Sequence, residues 1–146
     1  MDDLNTLEKI ENYFKMVNCY GEYNYCFSCQ KEPSLLPIIF GVAGAVASII
    51  KDNKVVGYLF NQNDQGICLI PIVVDTMTKN KIAIEKYVFI KQEDIEKIII
   101  KNEDIKFKKI KIVLKDKTKF VMRTSKKIRN IDYHENNLNK FIELYK

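Results

Sequence analysis

The chain has 146 residues, 24 Lys+Arg against 19 Asp+Glu, and is 47% apolar and 29% charged. That length can bury a core without disulfide or metal staples, and eight Phe with eight Tyr exclude a disordered chain. Two segments depart from these averages. Residues 35–50 are sixteen consecutive uncharged, mostly apolar residues, whereas residues 101–129 hold twelve Lys+Arg against three acids. The second segment is therefore net +9 in a chain of net +5, which leaves −4 for the other 117 residues.

The first predicted element is a helix over residues 1–18. Leu4, Leu7, Ile10, Phe14 and Val17 recur at spacings of three and four, and Asp2 and Asp3 suit the positive end of the macrodipole. The acidic opening is unlike a secretory leader and points to a bacterial cytoplasmic chain. Tyr23–Phe27 alternates and reads as a strand closed by Pro33-Ser34, ahead of the apolar run at 35–50. Val55–Asn61 follows as a strand, Asn61–Gly66 as a polar turn cluster, and Ile67–Asp75 as a strand apolar on both parities. Pro71 cannot donate to a ladder, which places it at an edge or a bulge. Ile82–Lys91 and Glu96–Lys101 are shorter strands about the charged turn Gln92-Glu93-Asp94.

The last hairpin has the clearest alternation. Ile110, Ile112 and Leu114, then Phe120 and Met122, share one face across the Asp116-Lys117 turn. Lys109, Lys111, Lys115, Lys117, Lys119 and Arg123 take the other face. Ile105 and Phe107 lie on the opposite parity from Ile110, which predicts a bulge near Lys108-Lys109 and turns Phe107 toward the core. A closing helix over 132–146 carries Leu138, Phe141, Ile142 and Tyr145 as its apolar stripe, with Asp132 and Glu135 spaced as a capping box. No linker or repeat divides the chain, so a single domain spanning 1–146 is expected.

About seven antiparallel strands closed by a C-terminal helix is the layout of pleckstrin-homology-like barrels, an α+β, mainly β class. Gly57-Tyr58-Leu59-Phe60, Ile67–Pro71, Ile90–Ile98, Ile110–Asp116 and Tyr133–Phe141 resemble the paired strands and plugging helix of small bacterial pleckstrin-homology-like proteins related to the GRAM domain. The resemblance covers roughly residues 20–146, with 35–50 as an apolar helix inserted after the first strand. It implies a non-enzymatic binding or membrane-associated module. No lipid-contact residue carries over, because Gln65-Gly66 stands where that family has a basic residue.

Three features could carry function. As a helix, residues 35–50 would span about 24 Å, short of a hydrocarbon core of about 30 Å. Gly44-x-x-x-Ser48 beside Ala43-x-x-x-Ala47 offers a flat face for close packing. Leu36, Ile39, Phe40, Gly41, Gly44, Ala47 and Ser48 are the expected membrane or oligomer contacts. The basic hairpin suits anionic headgroups through its six cations, although exposed strands also use Lys simply to block edge-to-edge pairing. Nucleic acid is the least favoured partner. Cys26-Phe27-Ser28-Cys29 has chelating spacing, and Cys19 and Cys68 could complete four ligands, yet buried inert thiols are the better reading.

No cofactor, metal or catalytic set is expected. The lone His134 sits at a helix start, and no nucleophile has a recognisable partner. The leading expectation is a cytoplasmic, non-enzymatic interaction module. It would self-associate, bind a protein partner or dock on the inner membrane face through 35–50. An anionic-headgroup binder using the basic hairpin comes second, and a small-ligand carrier or unrecognised enzyme third.

Overall fold

The computed structural model describes residues 6–31, 54–76 and 79–145. The predicted helix at 35–50, with its seven contact residues, lies outside the described residues, as do Leu4 and the acidic N-terminal residues. The architecture is α+β and mainly β: an eight-stranded antiparallel sheet flanked by two helices.

Helix α1 is Leu7–Met16. Its N-cap Thr6 accepts from the Lys9 amide at 3.3 Å, with Glu8 in the first turn and Lys15 in the last. Asn18 then takes a left-handed φ of 58°, and the Cys19 amide returns to the Phe14 carbonyl at 2.9 Å. This Schellman end stops the helix and turns the chain toward the sheet.

The strands are β1 (Tyr25–Lys31), β2 (Val55–Asn63), β3 (Gly66–Thr76), β4 (Lys79–Ile82), β5 (Val88–Lys91), β6 (Ile95–Asn102), β7 (Phe107–Leu114) and β8 (Lys119–Ser125). Their order is β4-β3-β2-β1-β8-β7-β6, with β5 on the same side of β3 as β4. The predicted Ile82–Lys91 strand is therefore split by a 3-10 turn at Ile84–Lys86. Pro71 falls where the flank of β3 passes from β5 to β4, a gap in which a missing donor costs nothing. Among the described residues β6 does not pair with β4 or β5, so the sheet remains open where a closed barrel was expected.

Alternation along β1–β3 feeds two cores. One face places Phe27, Tyr58, Phe60, Ile67 and Leu69 with Ile110, Ile112, Phe120 and Met122 of β7 and β8. Helix α2 (Asp132–Leu144) covers this face with Leu138 and Phe141, whose ring lies 5.3 Å from Phe27 and 5.0 Å from Phe60. On the other face Ile10 and Phe14 of α1, with its C-cap Val17, pack on Cys26, Leu59, Cys68, Ile70 and Ile72. The both-parity apolar pattern of β3 follows from this double cover.

Three sequence expectations change here. Asn61, Gln62 and Asn63 are buried strand residues, because tertiary partners satisfy their amides. Asn61 and Asn63 each donate to the Cys19 carbonyl at 2.8 Å, and Gln62 donates to Asn63 O at 2.8 Å. The expected bulge at Lys108-Lys109 is absent: β7 pairs regularly with β8 from Phe107 onward, and the register shift lies in β6 between Ile95 and Lys97. Ile105 belongs to the preceding turn, so its parity carried no information about the strand. The predicted capping box is also absent. Asp132 is already helical, Ile131 occupies the N-cap, and no side chain caps the helix.

Candidate anionic-surface interface

The outward face of β6, β7 and β8 follows from their registers. Lys97, Val113 and Lys119 form one lateral row, Ile99, Lys111 and Val121 the next, and Lys101, Lys109 and Arg123 a third. Six cations thus share a face whose one strand carboxylate is Glu96, exposed beside Lys97 where the β6 register shifts. Neither core cluster includes these positions, so among the described residues neither helix packs on this part of the sheet, where Val113 is buried and Lys109, Lys111 and Arg123 are half-buried.

The third row is chemically distinctive. Like charges directly opposite one another across a ladder repel, so a lateral run of three cations works against the fold. Arg123 is relieved locally. Its guanidinium lies 4.0 Å from the centroid of the Phe107 ring, and its Nε is 3.3 Å from a Glu103 carboxylate oxygen. Phe107 therefore faces outward beneath Arg123 rather than into the core, while Phe120 is buried as expected.

The six predicted cations do not act as one set. Lys109, Lys111, Lys119 and Arg123 lie on the outward strand face. Lys115 and Lys117 fall in the β7–β8 turn, where Lys117 takes φ 74° and its ammonium lies 3.0 Å from Glu96. Asp116 accepts from the Thr118 amide at 2.9 Å, and hydrogen bonding by Thr118 holds its carboxyl below the usual range. That turn is therefore close to charge-balanced. Sequence reasoning missed Lys97 and Lys101, which the tight β6–β7 turn brings into register with the hairpin. The alternation of Lys97, Ile99 and Lys101 was the available signal.

The β6–β7 turn is held from both sides. Asp104 accepts from the amides of Lys106 at 2.7 Å and Phe107 at 3.0 Å, and the Lys126 amide donates to Lys106 O at 2.9 Å. Ile105, at its tip, is 90% exposed, more than any other large apolar side chain among the described residues.

Elsewhere the chemistry is structural. Cys26 faces the α1 core and Cys29 the opposite core, because positions three apart on a strand point to opposite sides. The pair cannot chelate one ion. Cys19, Cys26 and Cys68 do share the α1 core, around Asn61, whose side-chain carbonyl accepts from the Cys26 thiol at 3.3 Å. Burial pushes the Cys26 and Cys29 thiols up, and a hydrogen bond with Cys68 holds Cys19 down. Among the described residues no group of three His, Cys, Asp or Glu is placed to hold a metal.

His134 bridges the sheet where β1 and β8 diverge. Among the described residues these strands pair only at Gln30–Arg123 and Lys31–Met122. Beyond that, His134 Nδ1 accepts from the Ser28 amide at 3.3 Å and Nε2 donates to Ser125 O at 2.6 Å. Thr124 Oγ1 donates to Ser28 O at 2.6 Å, and Asn137 donates to Cys26 O at 3.0 Å. Beside it, a depression of about 420 Å³ is lined by Lys127, Arg129, Asp132 and Glu135 among others. Its mixed charge, with Lys127 3.7 Å from Glu135, makes it a poor anion site.

No helix among the described residues is long and apolar enough to cross a membrane. Comparison with protein-family models, with curated proteins and with solved structures found no match in any of the three.

Proposed function

We propose that the protein is a non-enzymatic interaction module that docks on an anionic membrane surface, at the cytoplasmic face, through the outward side of β6–β8. The observation that carries this reading is the lateral row Lys101–Lys109–Arg123, set on the sheet face opposite the one that α2 covers. A run of like charges that weakens the ladder gains a rationale when a dense array of opposite charge lies against it. The pleckstrin-homology-like assignment belongs to this proposal, supported by an antiparallel meander with a C-terminal helix packed on its inner face.

Sedimentation with vesicles tests it. Binding should require anionic lipid and fall as salt rises, because exposed charges are screened within about 10 Å at 0.1 M ionic strength. Replacing Lys109, Lys111 and Lys119 together by Ala removes three headgroup contacts at about 1 kcal/mol each, a loss on the order of a hundredfold. Binding indifferent to lipid charge and to salt would refute the headgroup reading.

A second reading rests on residues 35–50, whose sixteen uncharged residues suit self-association, a protein partner or membrane docking. Carbonate-resistant pelleting of the intact chain supports membrane docking. Recovery of a detergent-free oligomer from a membrane-free lysate supports self-association instead.

A further inference from the structure

We propose that the β6–β7 tip is an insertion point, with Ile105 seating below the headgroups of an anionic bilayer while the surrounding cations remain at headgroup level. This rests on the docking reading above and adds to it an orientation and an apolar contact. Ile105 is 90% exposed in a turn whose conformation Asp104 and the Lys126–Lys106 bond already fix, so neither packing nor turn chemistry calls for a large aliphatic side chain there.

The charge around the tip identifies the occupant. Segments 101–109 and 123–126 hold Lys101, Lys106, Lys108, Lys109, Arg123 and Lys126 against Glu103 and Asp104. Glu103 lies against Arg123, and Asp104 is engaged in the turn amides. The opposite turn at 115–118 has no exposed aliphatic tip and pairs Lys117 with Glu96. An apolar point within a basic collar, beside a basic sheet face, matches a surface that is anionic outside and apolar a few ångströms below. A nucleic acid would match the collar and leave Ile105 in water.

The chain contains no Trp, so Ile105→Trp in the full chain is a single local reporter. With vesicles of phosphatidylcholine and phosphatidylglycerol, its emission should shift to the blue and be quenched by bromines on the acyl chains. Neither change should occur with pure phosphatidylcholine vesicles or with duplex DNA. Ile105→Ser should weaken sedimentation with the anionic vesicles roughly tenfold, and Ile105→Leu should not. Ile105 makes no core contact, so folding is not at risk in these variants. If the Trp variant sediments with charge dependence but its emission does not move, the cations dock and the insertion is wrong. Equal sedimentation of the wild type and Ile105→Ser would also overturn it. If nothing sediments in a charge-dependent way, the docking reading itself fails. A blue shift produced by DNA alone overturns the bilayer as occupant.

Discussion

His134 offers the most direct test of how the sheet is held together. Replacing it by Ala leaves the Ser28 amide without its acceptor and the Ser125 carbonyl with only the longer 3.3 Å bond from Thr124 Oγ1, and it empties a fully buried imidazole site between partly buried strands. Each unsatisfied buried group costs about 1–3 kcal/mol, so the loss should be roughly 2–5 kcal/mol. A domain of this size has about 5–15 kcal/mol of stability in all. With a urea m-value of about 1–3 kcal/mol/M, the unfolding midpoint should fall on the order of 1–2 M at pH 8.

The same residue sets a pH dependence whose sign is fixed by its environment. Burial lowers the His134 pKa below the ordinary 6.5, against smaller opposing effects of the Ser125 carbonyl and Glu135. Between the lowered folded value and 6.5 the unfolded chain binds a proton that the native chain does not. The contribution is therefore complete above that unfolded value and is lost as pH falls through the window. Protonation would turn Nδ1 into a donor facing the Ser28 N–H. His134→Gln can both accept and donate but cannot titrate, so its stability should be flatter from pH 8 to pH 5 than that of the wild type. Superimposable pH profiles, or an Ala variant weakened by less than about 1 kcal/mol, would refute the bridging role.

Three further predictions concern the cores. Phe141→Ala should cost about 3–5 kcal/mol by removing the ring between Phe27 and Phe60, lowering Tm by roughly 6–20 °C in calorimetry. Gly66 takes φ 149°, and a Cβ there would lie 2.1 Å from the Ile90 carbonyl oxygen. Gly66→Ala should destabilise by more than about 1 kcal/mol and loosen the β3–β5 pairing, seen as faster amide exchange at Ile67 to Leu69. The four buried thiols should resist aqueous alkylation until urea unfolds the chain, and EDTA should leave Tm unchanged. Rapid native labelling of Cys26 or Cys29 would contradict their placement in opposite cores.

Periodicity made most of this fold legible, because alternation and helical spacing report burial directly. Leu138, Phe141 and the inward face of β7–β8 sit where their spacing places them. Position-specific tertiary chemistry was not legible. Asn61, Gln62 and Asn63 have turn-like composition, yet amide partners contributed by Cys19, Gly66 and Gln92 allow them to continue a buried strand. His134 looked like a helix-start polar residue because its two backbone partners lie 106 and 9 residues away. For the candidate interface, the sequence showed a basic hairpin but not that β6 extends it or that two of its lysines leave it. Those facts depend on register, which the short turns set.

The position of α1 connects the fold to the proposed surface. The sheet has one continuous inner face, covered by α2 and shared by all of β1–β3 and β6–β8. On its outer face α1 packs over β1–β3, where it meets Cys26, Leu59, Cys68 and Ile70, so those strands are apolar on both parities. Among the described residues neither helix packs on the outer side of β6–β8, where Lys97, Lys101 and Lys119 are exposed and Lys109, Lys111 and Arg123 half-buried, so the cations there keep contact with water. Mere solubility would be served by both signs interspersed, which also favours cross-strand pairing. Instead the outward positions of these three strands hold six cations against the single acid Glu96, and three of the cations lie side by side. Partial exposure permits that arrangement but does not favour it over alternating charges. An apposed anionic surface does, because it converts the mutual repulsion of Lys101, Lys109 and Arg123 into attraction for one partner.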